Sequence, residues 1–245
     1  MCSARGPWLG LGPIAIALRS GPWPWHLGPL TRSHPGRARL RVDLHVAYRA
    51  AAGRDEPLAW ADEHYVGPGF VLEGEREGGY RAVVEGPDAI GGALAALMID
   101  LGRRASLVVL HAASLVFRGR AWCLAGPSGV GKSSWVRRHE RRALGSNAAL
   151  LWLEAGAWWA QALPLTGKGD AAVSPQPMPL GGLWFAGRSR RPRAPVEGMA
   201  WLASAAATAR GLGPRLDLLE ALAREQALGG LRAPGARLAR EQIIR

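Results

Sequence analysis

The chain has two lysines among its 31 basic residues, and one of them, Lys132, stands where a phosphate-binding loop requires it. Gly126-Pro127-Ser128-Gly129-Val130-Gly131-Lys132-Ser133 fits the pattern G-x-x-x-x-G-K-[ST] at every fixed position, with Ser134 next. Glycines at these spacings let consecutive amide N–H groups turn inward around an anion. A compact ammonium on a thin stem can then reach between phosphates, where a planar guanidinium fits poorly. The expected ligand is a nucleoside triphosphate, with Lys132 on its phosphates and the Ser133 hydroxyl on Mg²⁺.

Phosphoryl transfer also calls for a carboxylate near the metal. Behind the loop, the apolar run Leu150-Leu151-Trp152-Leu153 ends on Glu154, which reads equally as a metal ligand and as a charge at a hairpin edge. Asp170, beside Lys168, is the other candidate.

These residues need a strand before the loop and a helix after it. Trp122–Ala125 supplies the strand, and a helix is expected from Lys132 to about Arg142, its positive end aimed at the anion. Upstream, Leu107–Leu110 and Ser114–Phe117 read as strands, with a turn at Arg118-Gly119-Arg120. Downstream, 149–153 and 158–160 read as a hairpin and 164–195 as loop-rich. Helices are expected at 196–211 and 214–228.

The N-terminal part is β-rich. Residues 14–18 form a strand, and 40–48 alternate apolar with polar residues at period two. Residues 51–68 read as a loop, 70–72 and 80–84 as a hairpin, and 88–101 as a helix ended by Gly102. These elements add up to one mixed α/β domain over 1–245: a β-rich part at 12–104, a phosphate-loop core at 105–185 and helices at 196–228.

With 48% apolar residues, the chain has ample material for a core. The N-terminus makes a poor signal peptide, and no stretch of 18 apolar residues is free of charge, so a cytoplasmic protein without a membrane span is expected. Cys123, inside an apolar run, reads as a buried thiol. Formal charge is +12, with arginines grouped at 137, 138, 141 and 142 and again at 188, 190, 191 and 193. Aromatic residues do not interleave with those groups in sequence, which disfavours a nucleic-acid groove.

Four stretches stand out together: Leu110-His111-Ala112-Ala113-Ser114, the Arg118-Gly119-Arg120 turn running into Trp122–Gly129, Leu144-Gly145-Ser146-Asn147-Ala148-Ala149-Leu150, and Trp158-Trp159 with Pro164 and Gly167. In combination they resemble HPr kinase/phosphorylase and its shorter bacterial relatives, which share a nucleotide-binding core with ATP-type phosphoenolpyruvate carboxykinase. The resemblance covers about 105 to 185. It implies a mixed-sheet core, ATP and Mg²⁺ as cofactors, a protein partner or acceptor, and a capacity to oligomerise. It places His111 near the reacting phosphate. The family carries acids at the positions of Asn147 and Ala148; an amide can offer a carbonyl oxygen to a metal but cannot take a proton. What the resemblance implies is therefore a kinase-like ATP-binding protein of weak activity, or a catalytically silent nucleotide-dependent interaction module; the arginines give a third reading, a basic scaffold binding nucleic acid or an acidic partner.

Overall fold

The computed structural model describes residues 8–19, 31–32, 38–48, 59–61, 64–74, 79–163, 176–187, 191–206, 216–226 and 228–231. Among them it is mixed α/β and mostly strand, with four α-helices. Where the sequence suggests one domain, the chain packs as two compact units. The described residues up to Ala105 form one and those from Ser106 the other. The divide falls where the β-rich part was expected to give way to the phosphate-loop part.

The N-terminal unit is an eight-stranded sheet with one helix. Its strands are β1 (Trp8–Leu11), β2 (Ile14–Leu18), β3 (Thr31–Arg32), β4 (Leu40–Tyr48), β5 (Ala59–Ala61), β6 (His64–Gly67), β7 (Phe70–Gly74) and β8 (Tyr80–Val84), in the order β3-β1-β2-β4-β8-β7-β6-β5. The period-two pattern of β4 buries Val42, Leu44 and Val46 and leaves Arg41 and His45 exposed, as alternation on a half-covered sheet requires. The β7–β8 hairpin forms as expected. Part of the loop expected at 51–68 is instead β5 and β6, whose short, mixed-polarity runs give little periodic signal.

Helix α1 (Ala89–Ala105) buries Ile90, Leu94, Leu97, Met98 and Leu101 against the sheet. It runs past Gly102, where a stop was expected. Leu101 and Gly102 are both buried, so packing of the last turn offsets the roughly 1 kcal/mol that a helical glycine costs.

The C-terminal unit holds the phosphate loop. Its strands are β9 (Leu107–Leu110), β10 (Ala112–Phe117), β11 (Arg120–Ala125), β12 (Ala143–Gly145), β13 (Ala149–Glu154), β14 (Ala157–Ala162), β15 (Met178–Ala186) and β16 (Leu228–Leu231). The order is β12-β10-β11-β15-β14-β13-β9, with β16 also on β15. The hairpins β10–β11 and β13–β14 fall where expected. Strand β15 lies inside the stretch expected to be loop-rich. Its paired glycines, Gly181 and Gly182, weaken the strand signal of Leu180-Gly181-Gly182-Leu183-Trp184-Phe185-Ala186. It is nonetheless central, pairing in parallel with β11 and with β16.

One face of this sheet packs on α3 (Pro195–Ala205) and α4 (Leu216–Glu225) through Cys123, Leu183, Phe185, Trp201, Leu219 and Leu222. Both helices are shorter than expected: α3 stops at Ala205, where Ala206 turns extended and bridges Leu110, and β16 occupies 228–231. The opposite face packs on α2 (Lys132–Arg137) through Leu115, Leu124, Trp135 and Val136.

Candidate phosphate-binding site

Strand β11 ends on buried Ala125, residues 126–131 form the loop, and α2 starts at Lys132. Gly129 (φ +80°) and Gly131 (φ +97°) hold left-handed conformations that side chains resist. No atom lies within 4 Å of where a Cβ on Gly129 would stand, so the loop is open at that point. At its base Gly126 is crowded, since a Cβ there would come 3.1 Å from the Ala186 Cβ. The end of β15 therefore forms the floor of the loop. Sequence reasoning missed Ala186 in this role; the apolar run around Trp184 was the signal that could have found it.

Lys132 is buried, and its Nζ donates to the Gly126 and Pro127 carbonyl oxygens at 2.8 and 2.9 Å. It has no carboxylate partner among the described residues. Burial pushes its pKa below the ordinary lysine value. A cation taken from water without a counter-anion is a cost that a bound anion would relieve.

The expected helix to Arg142 is corrected: α2 ends at Arg137, and a 3₁₀ turn follows at Glu140–Arg142. Six residues carry a small macrodipole, so the ammonium and loop amides supply most of the positive potential. Ser133 is exposed, with no side-chain partner among the described residues. The Ser134 Oγ accepts from Arg137 Nη2 at 3.3 Å, which leaves Ser133 the freer hydroxyl.

The other two expected site residues converge on this place. His111 lies between β9 and β10, held by its backbone N–H donating to the Ala205 carbonyl at 2.8 Å. Its imidazole is half-buried and shares a hydrogen bond with the Asn147 side chain. Burial first, and then the Lys132 charge, push its pKa below the ordinary range; the Asn147 bond opposes them. His111, Lys132 and Asn147 thus form one cluster although 36 residues separate the outer two. Ala148 is buried beside it, and its carbonyl accepts from the Leu163 N–H at 3.0 Å.

Glu154 stays at the hairpin edge, exposed, where it accepts from Trp152 Nε1 at 3.2 Å. Asp170 lies outside the described residues. Among the described residues no three His, Cys, Asp or Glu side chains group to hold a metal. Ser133 and Asn147 carry neutral side-chain oxygens of the kind a hard cation can accept. Cys123 is a buried free thiol whose pKa burial pushes up to about 12, far from reactive. No described helix is long and apolar enough to cross a membrane.

Comparison of the chain with models of protein families gave no match, and comparison with characterised protein sequences gave none.

Proposed function

We propose that the chain is an ATP-binding protein of the HPr-kinase-like type, built on a phosphoenolpyruvate-carboxykinase-type core, with weak or lost phosphotransferase activity. Lys132 carries this reading: it is a buried ammonium whose hydrogen-bond partners among the described residues are carbonyl oxygens alone, beside a glycine loop that is open at Gly129. The loop amides and Lys132 would bind the β- and γ-phosphates, and Ser133 would take Mg²⁺. ATP, when bound, supplies the transferable phosphoryl group.

His111 stands close enough to Lys132 to feel its charge, and burial keeps the imidazole neutral at pH 7, so it can orient a hydroxyl or water but adds no second cation. Asn147 positions His111 and cannot accept a proton. General-base help is typically worth about 10²–10⁴-fold, so its loss favours slow turnover. The same residue supports a second reading, a silent module in which bound nucleotide sets the shape offered to a protein partner.

Calorimetric titration with Mg-ATP and Mg-GTP, with phosphate release followed in parallel, tests the proposal. Saturable binding that Lys132→Ala weakens about 100-fold is expected. Equal binding by wild type and Lys132→Ala would overturn it. Phosphate release that rises in Asn147→Asp selects the weak kinase, whereas binding with no release in either chain selects the silent module.

A further inference from the structure

We propose that the part of the C-terminal sheet beyond α2, bearing Phe117, Trp122 and Trp184 within a rim of Arg118, Arg120 and Arg142, binds single-stranded nucleic acid. Strand register puts the platform on one face. Leu115 lies opposite Trp122 and Phe117 opposite Arg120 on the β10–β11 pair, and Leu124 lies beside Trp184 on the β11–β15 pair. Helix α2 covers the half of this face nearer the phosphate loop, through Trp135 and Val136. Phe117 and Trp122 lie on the remaining half, Trp184 packs at the margin of the α2 cluster, and all three rings are only half-buried.

The two indoles are seated on glycines. A Cβ on Gly181 would come 2.8 Å from the Trp122 ring, and one on Gly229 2.7 Å from the Trp184 ring. Their centroids are 6.5 Å apart and their planes 37° from parallel. Both indole N–H groups are buried without a hydrogen-bond partner, a cost that phenylalanine at these positions would avoid. Indole brings the broader π-surface in exchange, which is what a stacked base uses.

The rim is assembled by the fold. Arg118 comes from the β10–β11 turn and Arg142 from the 3₁₀ turn, yet each guanidinium carbon lies 5.4 Å from the Phe117 centroid. Arg120 donates to the Leu180 carbonyl at 3.5 Å. All three arginines are exposed, and none pairs with a carboxylate among the described residues. Unpaired guanidinium forks match phosphates. An acidic peptide would satisfy the forks and leave the indoles without a use. A second copy of this chain, formally +12, would be repelled. The sequence disfavours such a groove because aromatics and arginines do not interleave along the chain; here they interleave in space. Phe117 and Arg120 pair five residues along β11 from Ala125, on the order of 15 Å from the phosphate loop, so the two sites are separate.

Fluorescence anisotropy with labelled dT15 and U15, from 50 to 200 mM salt, tests this. Arg118→Gln/Arg142→Gln should weaken binding roughly tenfold or more and lower the salt slope by about 1.4, two phosphate contacts on a single strand. Trp122→Phe and Trp184→Phe should each cost about five- to tenfold. Lys132→Ala and saturating Mg-ATP should change nothing, which separates failure here from failure of the nucleotide proposal. Equal affinity for a 15-residue polyglutamate or a 15-base-pair duplex, indifference to the arginine pair, or no binding at 50 mM salt would overturn the proposal. The exposed arginine pair keeps the test decisive if a tryptophan variant misfolds, which thermal melting monitored by circular dichroism reports.

Discussion

Individual charged groups of the two units are satisfied in different ways, although the C-terminal unit also holds an ion pair, Arg224 with Glu220 on α4 at 2.5 Å. In the N-terminal unit several charged groups meet partners. Arg19 binds Asp43 at 2.6 Å, and His64 faces Glu73 across β6 and β7 at 3.3 Å. The Tyr80 hydroxyl donates to Asp100, which Arg104 approaches at 3.6 Å from one turn along α1. Burial, and then Asp100, push the Tyr80 phenol above its usual range, so it stays a neutral donor. In the C-terminal unit, among the described residues, Lys132 hydrogen-bonds to carbonyls alone, and Arg118, Arg120 and Arg142 meet rings or a carbonyl. Charges paired within the fold serve stability. Charges held in place without an opposite charge are available to a ligand, and for buried Lys132 the fold also bears the desolvation.

Lys132→Ala is the sharpest way to break this contrast. Affinity for Mg-ATP should fall about 100-fold, since a charge-assisted contact is worth roughly 1.5–3 kcal/mol and the β- and γ-phosphates offer more than one. Folding stability should change by no more than about 1 kcal/mol, because the two carbonyls regain water when the buried cation is removed. Calorimetry and denaturant unfolding read the two effects separately. A collapse of stability would make Lys132 a structural clamp and cancel the distinction.

Tyr80→Phe should do the reverse. Losing the bond to Asp100 should destabilise the N-terminal unit by about 1–2 kcal/mol, seen in denaturant unfolding, and leave Mg-ATP affinity unchanged.

His111 gives a smaller effect with a definite sign. Its folded pKa lies below the unfolded value, so the unfolded chain binds more protons as pH falls below about 6.5. His111 therefore contributes no penalty above that pH, and stability declines as the solution is acidified toward the folded pKa. Urea unfolding between pH 5 and 7.5 should show a slope that His111→Gln flattens. An unchanged slope would mean that the imidazole is not held neutral beside Lys132.

The smallest effect belongs to Arg19→Met. Asp43 is about half exposed, with a side-chain relative exposure of 47%, so the pair should be worth no more than about 1 kcal/mol by thermal melting.

Several features were legible because a local rule fixes them. The phosphate-loop spacing, the alternation of β4, the β7–β8 and β13–β14 hairpins and the apolar stripe of α1 each follow from backbone geometry within a few residues. Elements with weak local signals were not legible. Strand β15 carries two glycines, and β5 and β6 are short. The ends of α1 and α2 were misplaced because packing of Leu101 and Gly102 prolonged one helix and a 3₁₀ turn cut the other short.

The sequence alone determined that a phosphate-cradling loop with one lysine follows a strand, because its glycines and its cation act within eight consecutive residues. Only the tertiary structure decided what surrounds that lysine. It brought His111 and Asn147 to it, set Ala186 beneath Gly126, and gathered Trp122, Trp184, Arg118 and Arg142 onto one sheet face. The reason is the sheet itself. Pairing β11 with β10 on one side and β15 on the other sets residues some 60 apart in sequence at neighbouring positions, and no periodicity along the chain encodes that pairing.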